Sequence, residues 1–380
     1  MSSCWPFCRE DDEDDEPKVV SGPWNHRMDS QVTHSKNTGI IWNNYVNPWE
    51  SWLMPGLCGL LKWQKTVVCN GEGDHTNIPS DLAELDSVLP VKCPKGDEWQ
   101  QVPPKGMRVT WLGHASVLVQ FDGISVLTDP IFSSRASPFS FVGPKRYRDA
   151  PCNVEDLPKL DAVVISHAHY DHLDAKSVSD IHARFGNDVN WFVPKGLKKW
   201  FNDKGIKTVV HLDWWDEVPL PKHDDVKFVF TPTQHWSNRA LHDRGWYLWG
   251  SWCVFTRNHS FFFGGDTGYC NGFKEIGERY GPFDLAAIPI GACEPRWFMK
   301  PQHVDQKEAI QIHQDLKCRK SVGVHWGTFV LTYEYFLEPK EKLVEEMQNK
   351  GLDPKDFFTL DHGEMVLLFS EEVSTQDIEV

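Results

Sequence analysis

The sequence DAVVISHAHYDHLD occupies residues 161–174 and decides the fold. The apolar run from Ala162 to Ile165 is rich in β-branched residues and is typical of a buried strand. Where that strand ends, ligand-type side chains follow in close succession, at His167, His169, Asp171 and His172. Imidazole and carboxylate groups are the ligands that divalent zinc binds in proteins. The stretch predicts a strand that leads into a metal-binding loop; the alternative is a polar loop with scattered histidines.

A single loop cannot complete two metal sites, because tetrahedral zinc takes about four ligands. Three further ligand-type residues each follow a strand-like run, namely His235, Asp266 and His325. Taken singly, each is more typical of an ordinary loop residue than of a ligand. The paired glycines Gly264 and Gly265 permit a close approach of the backbone before Asp266. Together with the first loop, these residues supply five histidines and two aspartates, enough for a two-metal centre with a bridging carboxylate.

Five motifs resemble those of the metallo-β-lactamase superfamily, and more closely those of the family of phospholipases D that hydrolyse N-acyl-phosphatidylethanolamine. In chain order they are WLGHAS (111–116), LTDP (127–130), HAHYDHLD (167–174), GGDTG (264–268) and VHWGT (324–328). The resemblance extends from residue 105 to residue 370. It implies an α/β fold, specifically an αββα sandwich in which two packed mixed sheets are flanked by helices.

The same resemblance implies a centre with two zinc ions per chain. One ion would be held by His167, His169 and His235, the other by Asp171, His172 and His325, with Asp266 bridging them. A metal-bound hydroxide would attack the phosphorus of N-acyl-phosphatidylethanolamine and release an N-acylethanolamine and phosphatidic acid. Asp171 and His303 are the expected catalytic residues, and Tyr170 and His303 are the expected substrate contacts. Asp129 is expected to support the metal loop through hydrogen bonds.

Composition divides the chain into three parts. Residues 1–38 are polar and aperiodic, which predicts a disordered tail. Residues 39–105 form an aromatic-rich arm and a connector, and residues 106–380 form the catalytic domain. The arm either packs on its own domain or provides a membrane or dimer surface, and the sequence leaves both readings open.

Periodicity and turn signals place the regular elements of the catalytic domain. The predicted strands cover residues 109–112, 116–121, 124–127, 161–165, 188–193, 207–211, 226–230, 251–256, 260–263, 284–290, 321–324 and 364–369. The predicted helices cover residues 175–185, 272–280, 305–316 and 332–349.

Charge and cysteine usage restrict the class of protein. The 54 acidic residues outnumber the 39 basic ones, for a net charge of −15, which argues against a nucleic-acid partner. Ten cysteines include no C-x-x-C pair, which favours reduced thiols. The N-terminus lacks the apolar region of a signal peptide, and no run of about 18 apolar residues predicts a transmembrane helix. We expect an intracellular enzyme that binds peripherally to the cytosolic face of endomembranes, where its phospholipid substrate lies. A homodimer is implied by the resemblance and by the surplus of aromatic residues.

Two other functions stay open on the sequence alone. The first is a soluble metallo-hydrolase of the same superfamily, such as a phosphodiesterase, lactonase or nuclease. The second is a scaffold that uses metal for stability without catalysis. Arg239 and Arg296 are candidate phosphate partners in any of these readings. The ligand types also suit iron or manganese, so zinc follows from the resemblance and not from the residues.

Overall fold

The computed structural model describes residues 44–369, with gaps at 54–55, 57–58, 60–61, 63–75, 140, 241 and 333. The predicted tail at residues 1–38 and much of the predicted arm lie outside the described residues. Two seven-stranded sheets form the centre of the fold. Their strands and the flanking helices confirm the predicted α/β sandwich.

The strands, in chain order, are β1 (Met107–Gly113), β2 (Ser116–Phe121), β3 (Ile124–Thr128), β4 (Ala162–Val164), β5 (Asn190–Pro194), β6 (Val209–Leu212), β7 (Glu217–Leu220), β8 (His223–Thr231), β9 (Ser251–Phe255), β10 (Ser260–Phe263), β11 (Leu285–Pro289), β12 (Lys320–Val324), β13 (Phe357–Phe358) and β14 (Met365–Leu368). The α-helices are α1 (Leu82–Val88), α2 (Asp97–Gln100), α3 (Ala175–Phe185), α4 (Lys198–Asp203), α5 (Gly272–Arg279), α6 (Arg296–Met299), α7 (Gln306–Asp315) and α8 (Glu338–Asn349). Among these described helices, none combines the length and the apolar character needed to cross a bilayer.

Both sheets are mixed, and their connectivity brings distant parts of the chain to one edge. The first has the order β14-β1-β2-β3-β4-β5-β6, and the second has the order β13-β12-β11-β10-β9-β8-β7. Strands β3 to β6 are parallel neighbours, as are β10 to β13. Strand β8 runs in the same direction as β10, because each is antiparallel to β9. The carboxyl ends of β8, β10 and β12 therefore lie along the same edge of the second sheet.

The main core lies between the two sheets. The ring of Phe192 on β5 stacks on that of Phe228 on β8, with ring centres 3.9 Å apart. Trp252 on β9 also contacts Phe192 and donates its indole N–H to the carbonyl of Ile165, at a distance of 2.8 Å. These contacts bind the end of β4 to the second sheet, so the metal loop begins from a rigid, buried position.

The last residue of the HAHYDHLD motif begins helix α3. The carboxylate of Asp174 accepts hydrogen bonds from the backbone N–H groups of Lys176 and Ser177, the usual arrangement at a helix N-cap. The helix ends at Phe185, with Gly186 as its C-cap residue, and its bounds agree with the prediction. The metal loop is therefore fixed by a buried strand at one end and by a capped helix at the other.

The structure differs from the local predictions at several places, including the unpredicted elements α2, α4, α6 and β13. The predicted helix at 332–349 begins at Glu338, with Pro339 in its first turn, where proline is best tolerated. Strand β7 is absent from the prediction because Pro219 interrupts a four-residue run. The structure places β7 at the edge of its sheet, where proline is allowed. The connector contains helix α1, which was not predicted because its 7 residues are too few to show a clear helical period. Leu85 of this helix is buried in the main core.

Candidate metal centre

The predicted ligands meet at the edge where four strands end. The segment from His167 to His172 follows β4, and His325 directly follows β12. His235 follows β8, and Asp266 follows β10. Each of the seven predicted ligands thus reaches the centre from a loop that a buried strand holds in place.

The first group of ligands consists of His167, His169 and His235. One nitrogen from each ring lies within 4.8 Å of the others. His167 Nε2 is 2.8 Å from His169 Nδ1, and His235 Nε2 is 3.3 Å from the same atom. This convergence of three imidazoles is the ligand set expected for one metal ion.

The second group contains Asp171, His172 and His325, together with His114. Asp171 Oδ2 lies 3.3 Å from His172 Nε2 and 3.6 Å from His325 Nε2. Three of the four side chains are almost completely buried, and that of Asp171 is 15% exposed. This small exposure leaves the carboxylate accessible to a water molecule.

Asp266 lies between the two groups. Its Oδ1 is 3.0 Å from His325 Nε2, and its Oδ2 is 3.1 Å from His172 Nε2. The same Oδ2 is 3.8 Å from His235 Nε2 and 3.9 Å from His167 Nε2. One carboxylate therefore faces nitrogens of both groups, as a bridging ligand must.

The donor set fits a divalent cation. Nε2 of His172, Nε2 of His325 and Oδ1 of Asp266 are buried, yet none has a hydrogen-bond partner. The separations of 3.0 and 3.1 Å between these nitrogens and Asp266 do not have the geometry of hydrogen bonds. An unpaired buried polar group costs about 1–3 kcal/mol, and a cation held by these atoms would remove that cost.

Charge states at the centre also suit a cation. Burial lowers the pKa of His167 and His235 well below the usual value for histidine, and the neighbouring imidazoles add to the effect. Burial alone would raise the pKa of Asp171 and Asp266, but the positive charge of the neighbouring histidines, above all His172, outweighs it and holds the pKa of both well below the usual value. Against the effect of burial, Asp266 and Asp171 raise the pKa of His172 well above its usual value and that of His325 to about 9. Neutral imidazoles and ionised carboxylates are the forms that bind metal, so a bound cation would take the place of the protons on these two rings.

Asp129 supports the metal loop as expected. Its Oδ2 lies 2.7 Å from His172 Nδ1, and its Oδ1 accepts the backbone N–H of Ser166 at 2.7 Å. Asp129 and His172 are completely buried. Because the carboxylate accepts the Nδ1 proton, it leaves the lone pair of Nε2 free to face the centre.

His114 is a member of the cluster that the sequence analysis missed, although its motif was recognised. Its Nε2 lies 2.9 Å from Asp171 Oδ2, and its backbone N–H donates to Thr328 Oγ1 at 2.7 Å. Burial, with the charge of His325, lowers the pKa of His114 to about 3. His114 directly follows β1, so the rule that identified His235 and His325 would have identified it as well.

His303 lies beside both groups of ligands. Its ring centre is 5.2 Å from that of His235 and 5.3 Å from that of His325, and its Nδ1 is 3.9 Å from Asp266 Oδ2. Burial lowers the pKa of His303 to about 3. The ring is therefore neutral at pH 7, which suits a hydrogen bond to substrate better than the delivery of a whole proton.

Tyr170 and Arg239 contact each other and stabilise the metal loop through hydrogen bonds. The guanidinium of Arg239 donates to the carbonyls of Ala168 and Leu173, at 2.9 and 2.8 Å, and lies 4.3 Å from the centre of the Tyr170 ring. The hydroxyl of Tyr170 donates to the carbonyl of Arg239 at 2.6 Å. Arg239 is therefore occupied in holding the loop, and this contradicts its candidacy as a phosphate partner.

Arg296 is committed to other groups as well. Its guanidinium donates to the carbonyl of His303 and to Glu308, both at 2.7 Å, and its Nε lies 3.3 Å from Asp305. These contacts neutralise its charge, which excludes it as a free phosphate ligand. Arg296 instead helps to position the segment that carries His303.

Gly265 allows the approach of Asp266 to the metal loop. Its φ is +57°, and a Cβ built there would lie 2.5 Å from the Cβ of Ser166. Replacing Gly265 with alanine is expected to displace Asp266 and to destabilise the protein by about 2–4 kcal/mol. Thermal unfolding and zinc content check this. Gly264→Ala is the matched control, because its Cβ would approach no atom closer than 3.1 Å. Equal effects of the two substitutions would contradict the proposed role of Gly265.

Comparisons with known proteins agree with this geometry. A model of the "Beta-lactamase superfamily domain" matches residues 125–326. The N-acyl-phosphatidylethanolamine-hydrolyzing phospholipase D 1 of Caenorhabditis elegans is 46% identical over 320 residues, which cover 82% of this chain and 88% of that protein. The mitochondrial enzyme of the same description from Saccharomyces cerevisiae is 36% identical over 288 residues, covering 74% of this chain and 60% of its own length.

Among solved structures, Igni18, a metallo hydrolase of the archaeon Ignicoccus hospitalis, shares the fold. Its TM-score is 0.52 and its sequence identity is 24%, and the match covers 69% of this chain and 98% of Igni18. This similarity concerns architecture alone. From the extent of the match to the superfamily model and to the two phospholipases, we conclude that the chain is a phosphodiester hydrolase and belongs to the N-acyl-phosphatidylethanolamine-hydrolysing phospholipase D family of the β-lactamase superfamily.

Proposed function

We propose that this chain hydrolyses N-acyl-phosphatidylethanolamine to an N-acylethanolamine and phosphatidic acid, with two zinc ions. The position of Asp266 between two groups of buried imidazoles carries the proposal, because its Oδ1 and the Nε2 atoms of His172 and His325 that face it are buried and unpaired. The identity to two phospholipases of this description supports the choice of substrate. In the reaction, the oxygen of water forms a bond to phosphorus, the bond from phosphorus to the ethanolamine oxygen breaks, and that oxygen takes a proton.

The proposed ligands of one zinc are His167, His169 and His235. Those of the other are Asp171, His172 and His325, and Asp266 is shared. When bound, such a pair of ions lowers the pKa of water and neutralises charge on phosphoryl oxygens. The mixed nitrogen and oxygen ligands are compatible with zinc.

Asp171 has the geometry to orient the attacking water. Its carboxylate is ionised, and its Oδ2 is fixed by the imidazole of His114 at 2.9 Å. A carboxylate held in one orientation can accept a hydrogen bond from water and direct its oxygen towards phosphorus. His303 Nδ1 lies 3.9 Å from Asp266 Oδ2, so its ring can donate a hydrogen bond to the phosphoryl group or to the leaving oxygen.

Replacing His303 with alanine is expected to lower kcat for this lipid in detergent micelles by about 100-fold, with zinc content unchanged. Kinetics in micelles and metal analysis of the same preparation check both parts. His313→Ala is the matched control, because His313 is also buried but bonds to Ser321 on β12. Loss of zinc from the His303 variant would instead identify His303 as a ligand.

Exposed apolar side chains support peripheral membrane association. Phe139 and Phe141 are 55% and 78% exposed, and their ring centres are 5.6 Å apart. They belong to the loop between β3 and β4, where Arg146 lies against Phe329, which in turn contacts His114. Three further apolar side chains are exposed, those of Leu53, Trp297 and Val330. They lie in the arm, in α6 before His303 and in the loop after His325, respectively. A lipid surface in contact with these side chains would place a phospholipid headgroup near the metal loop.

Replacing both Phe139 and Phe141 with serine is expected to weaken binding to phospholipid vesicles about 10-fold or more, because each buried phenylalanine contributes about 1.5–3 kcal/mol. Hydrolysis in detergent micelles should change little, since neither side chain reaches the ligands. Vesicle sedimentation and a micelle assay distinguish the two effects. Val344→Ser, at an exposed position of α8, is the control. Unchanged vesicle binding by the double variant would contradict this membrane surface.

A further inference from the structure

The arm contacts the segment that carries His235. In the part of the arm that the structure describes, Asn47, Trp49 and Ser51 alternate along the chain, and each bonds to one residue of segment 233–235. Asn47 Nδ2 donates to the carbonyl of His235 at 2.8 Å, and Trp49 Nε1 donates to the carbonyl of Thr233 at 3.1 Å. Ser51 Oγ donates to the side-chain oxygen of Gln234. A turn at Glu50 and Ser51, closed by a bond from the N–H of Trp52 to the carbonyl of Trp49 at 3.1 Å, directs Ser51 back to the segment.

Segment 233–235 lies beyond the end of β8, where Gln234 pairs with Gly268 in an isolated bridge and the Thr233 carbonyl also accepts the indole N–H of Trp249 at 3.1 Å. The ring of His235 is oriented by the 3.0 Å contact between its Nδ1 and the carbonyl of Gln302. Its main chain is held from the other side by Asn47. The amide of Gln234 also donates to the carbonyl of Pro301 at 2.9 Å. The arm is therefore connected both to His235 and to the segment that leads to His303.

The surface of the catalytic domain is shaped to receive the arm. A Cβ at Gly272 would lie 2.8 Å from the ring of Trp49, and a Cβ at Gly245 would lie 2.8 Å from the carbonyl of Tyr45. The backbone N–H of Tyr45 donates to the carbonyl of Gly245 at 2.7 Å. Asn47 is fixed at both ends of its amide, because its Oδ1 accepts the N–H of Trp49 at 3.3 Å. These contacts favour packing on the arm's own domain for residues 44–53.

We propose that residues 44–53 are a positioning element of the metal centre, in which Asn47 and Trp49 fix segment 233–235 and thereby set how His235 presents Nε2. The inference rests on the metal centre proposed above. A metal ligand must be held within about 0.5 Å of its productive position. Partners that orient a ligand from outside typically change metal affinity by about 10- to 100-fold. The arm lies outside residues 125–326, which the superfamily model matches.

The test uses the full chain with Asn47→Ala and Trp49→Phe. The second variant keeps an aromatic ring and removes the N–H that donates to Thr233. Glu50→Gln is the matched control, because Glu50 is exposed and directly follows Trp49. Gly272→Ala is an independent variant, because its added Cβ would displace the Trp49 ring while the amino-acid sequence of the arm stays unchanged. Competition between each protein and a chelator for Zn²⁺ gives the affinity, and thermal unfolding of the metal-free protein gives the stability.

We expect Asn47→Ala, Trp49→Phe and Gly272→Ala to weaken the binding of one of the two Zn²⁺ ions by about 10-fold or more, and Glu50→Gln to leave it unchanged. The visible spectrum of the Co²⁺-loaded variants should shift, because one imidazole changes orientation. If the variants bind Zn²⁺ with wild-type affinity and show only a lower unfolding temperature, the inference is overturned and the arm contributes to packing alone. A defect seen on vesicles but not in Zn²⁺ affinity would also overturn it, in favour of a membrane surface. Failure of the wild type to bind Zn²⁺ would remove the proposed centre itself.

Discussion

Replacing Asp266 with asparagine is expected to lower lipid hydrolysis by more than about 100-fold and to release zinc from the protein. Changes to groups that only orient ligands typically lower metal affinity or activity by about 10- to 100-fold. A larger effect is expected here, because Asp266 faces both groups of ligands directly. Its two oxygens lie 3.0 Å from His325 Nε2 and 3.1 Å from His172 Nε2. Asparagine keeps the shape but removes the charge and turns one acceptor into a donor. The variant can therefore no longer bridge two cations.

Asp284→Asn is the control for this substitution. Asp284 directly precedes β11, the parallel neighbour of β10, so it lies at the opposite end of the sheet from Asp266. It accepts the backbone N–H of Ser260 at 2.9 Å and pairs with Arg319. Metal analysis and the micelle assay are applied to both variants. Retention of two zinc ions and of activity in the Asp266 variant would contradict the bridging role.

Replacing Asp129 with asparagine is expected to weaken zinc binding by about 100-fold, although Asp129 is not a proposed ligand. The carboxylate is completely buried and lies 2.7 Å from His172 Nδ1. An asparagine amide that faces Nδ1 would donate to it, which would move the imidazole proton to Nε2. A protonated Nε2 cannot bind metal, so the second zinc would lose His172.

The effect of the Asp129 variant is separable from a loss of stability. Asp161→Asn is the matched control, because Asp161 is also buried and accepts the backbone N–H of Ser125 at 2.9 Å, but it precedes β4 and so lies at the opposite end of that strand from the ligands. Zinc competition and thermal unfolding of the metal-free proteins are compared. If both variants lose zinc affinity equally, the tautomer of His172 is not what Asp129 controls.

The sequence predicted the fold and the loops that carry the seven proposed ligands, for a physical reason. Each of these loops follows an apolar strand, and strands that run in the same direction end at the same edge of a sheet. That rule brings His235, Asp266 and His325 together on the second sheet, whereas the loop after β4 belongs to the first sheet and reaches them through the packing between the sheets. The same rule applies to His114, whose place in the cluster was missed because a single histidine in a hairpin turn has no local pattern.

The contacts of the arm could not be predicted, because they depend on backbone carbonyls. Asn47 and Trp49 bond to main-chain oxygens of residues almost two hundred positions away, and a carbonyl carries no signature in the sequence. Arg239 shows the same limit. Its charge made it a candidate for phosphate, whereas the structure directs its guanidinium to the carbonyls of Ala168 and Leu173.

The most direct measurement combines the zinc content of the purified chain with its hydrolysis of N-acyl-phosphatidylethanolamine in detergent micelles, before and after chelation. We predict about two zinc ions per chain, loss of turnover when they are removed, and recovery of turnover when Zn²⁺ is restored. Turnover that persists in the metal-free protein, or a fully zinc-loaded protein that leaves this lipid intact, would contradict the proposed function.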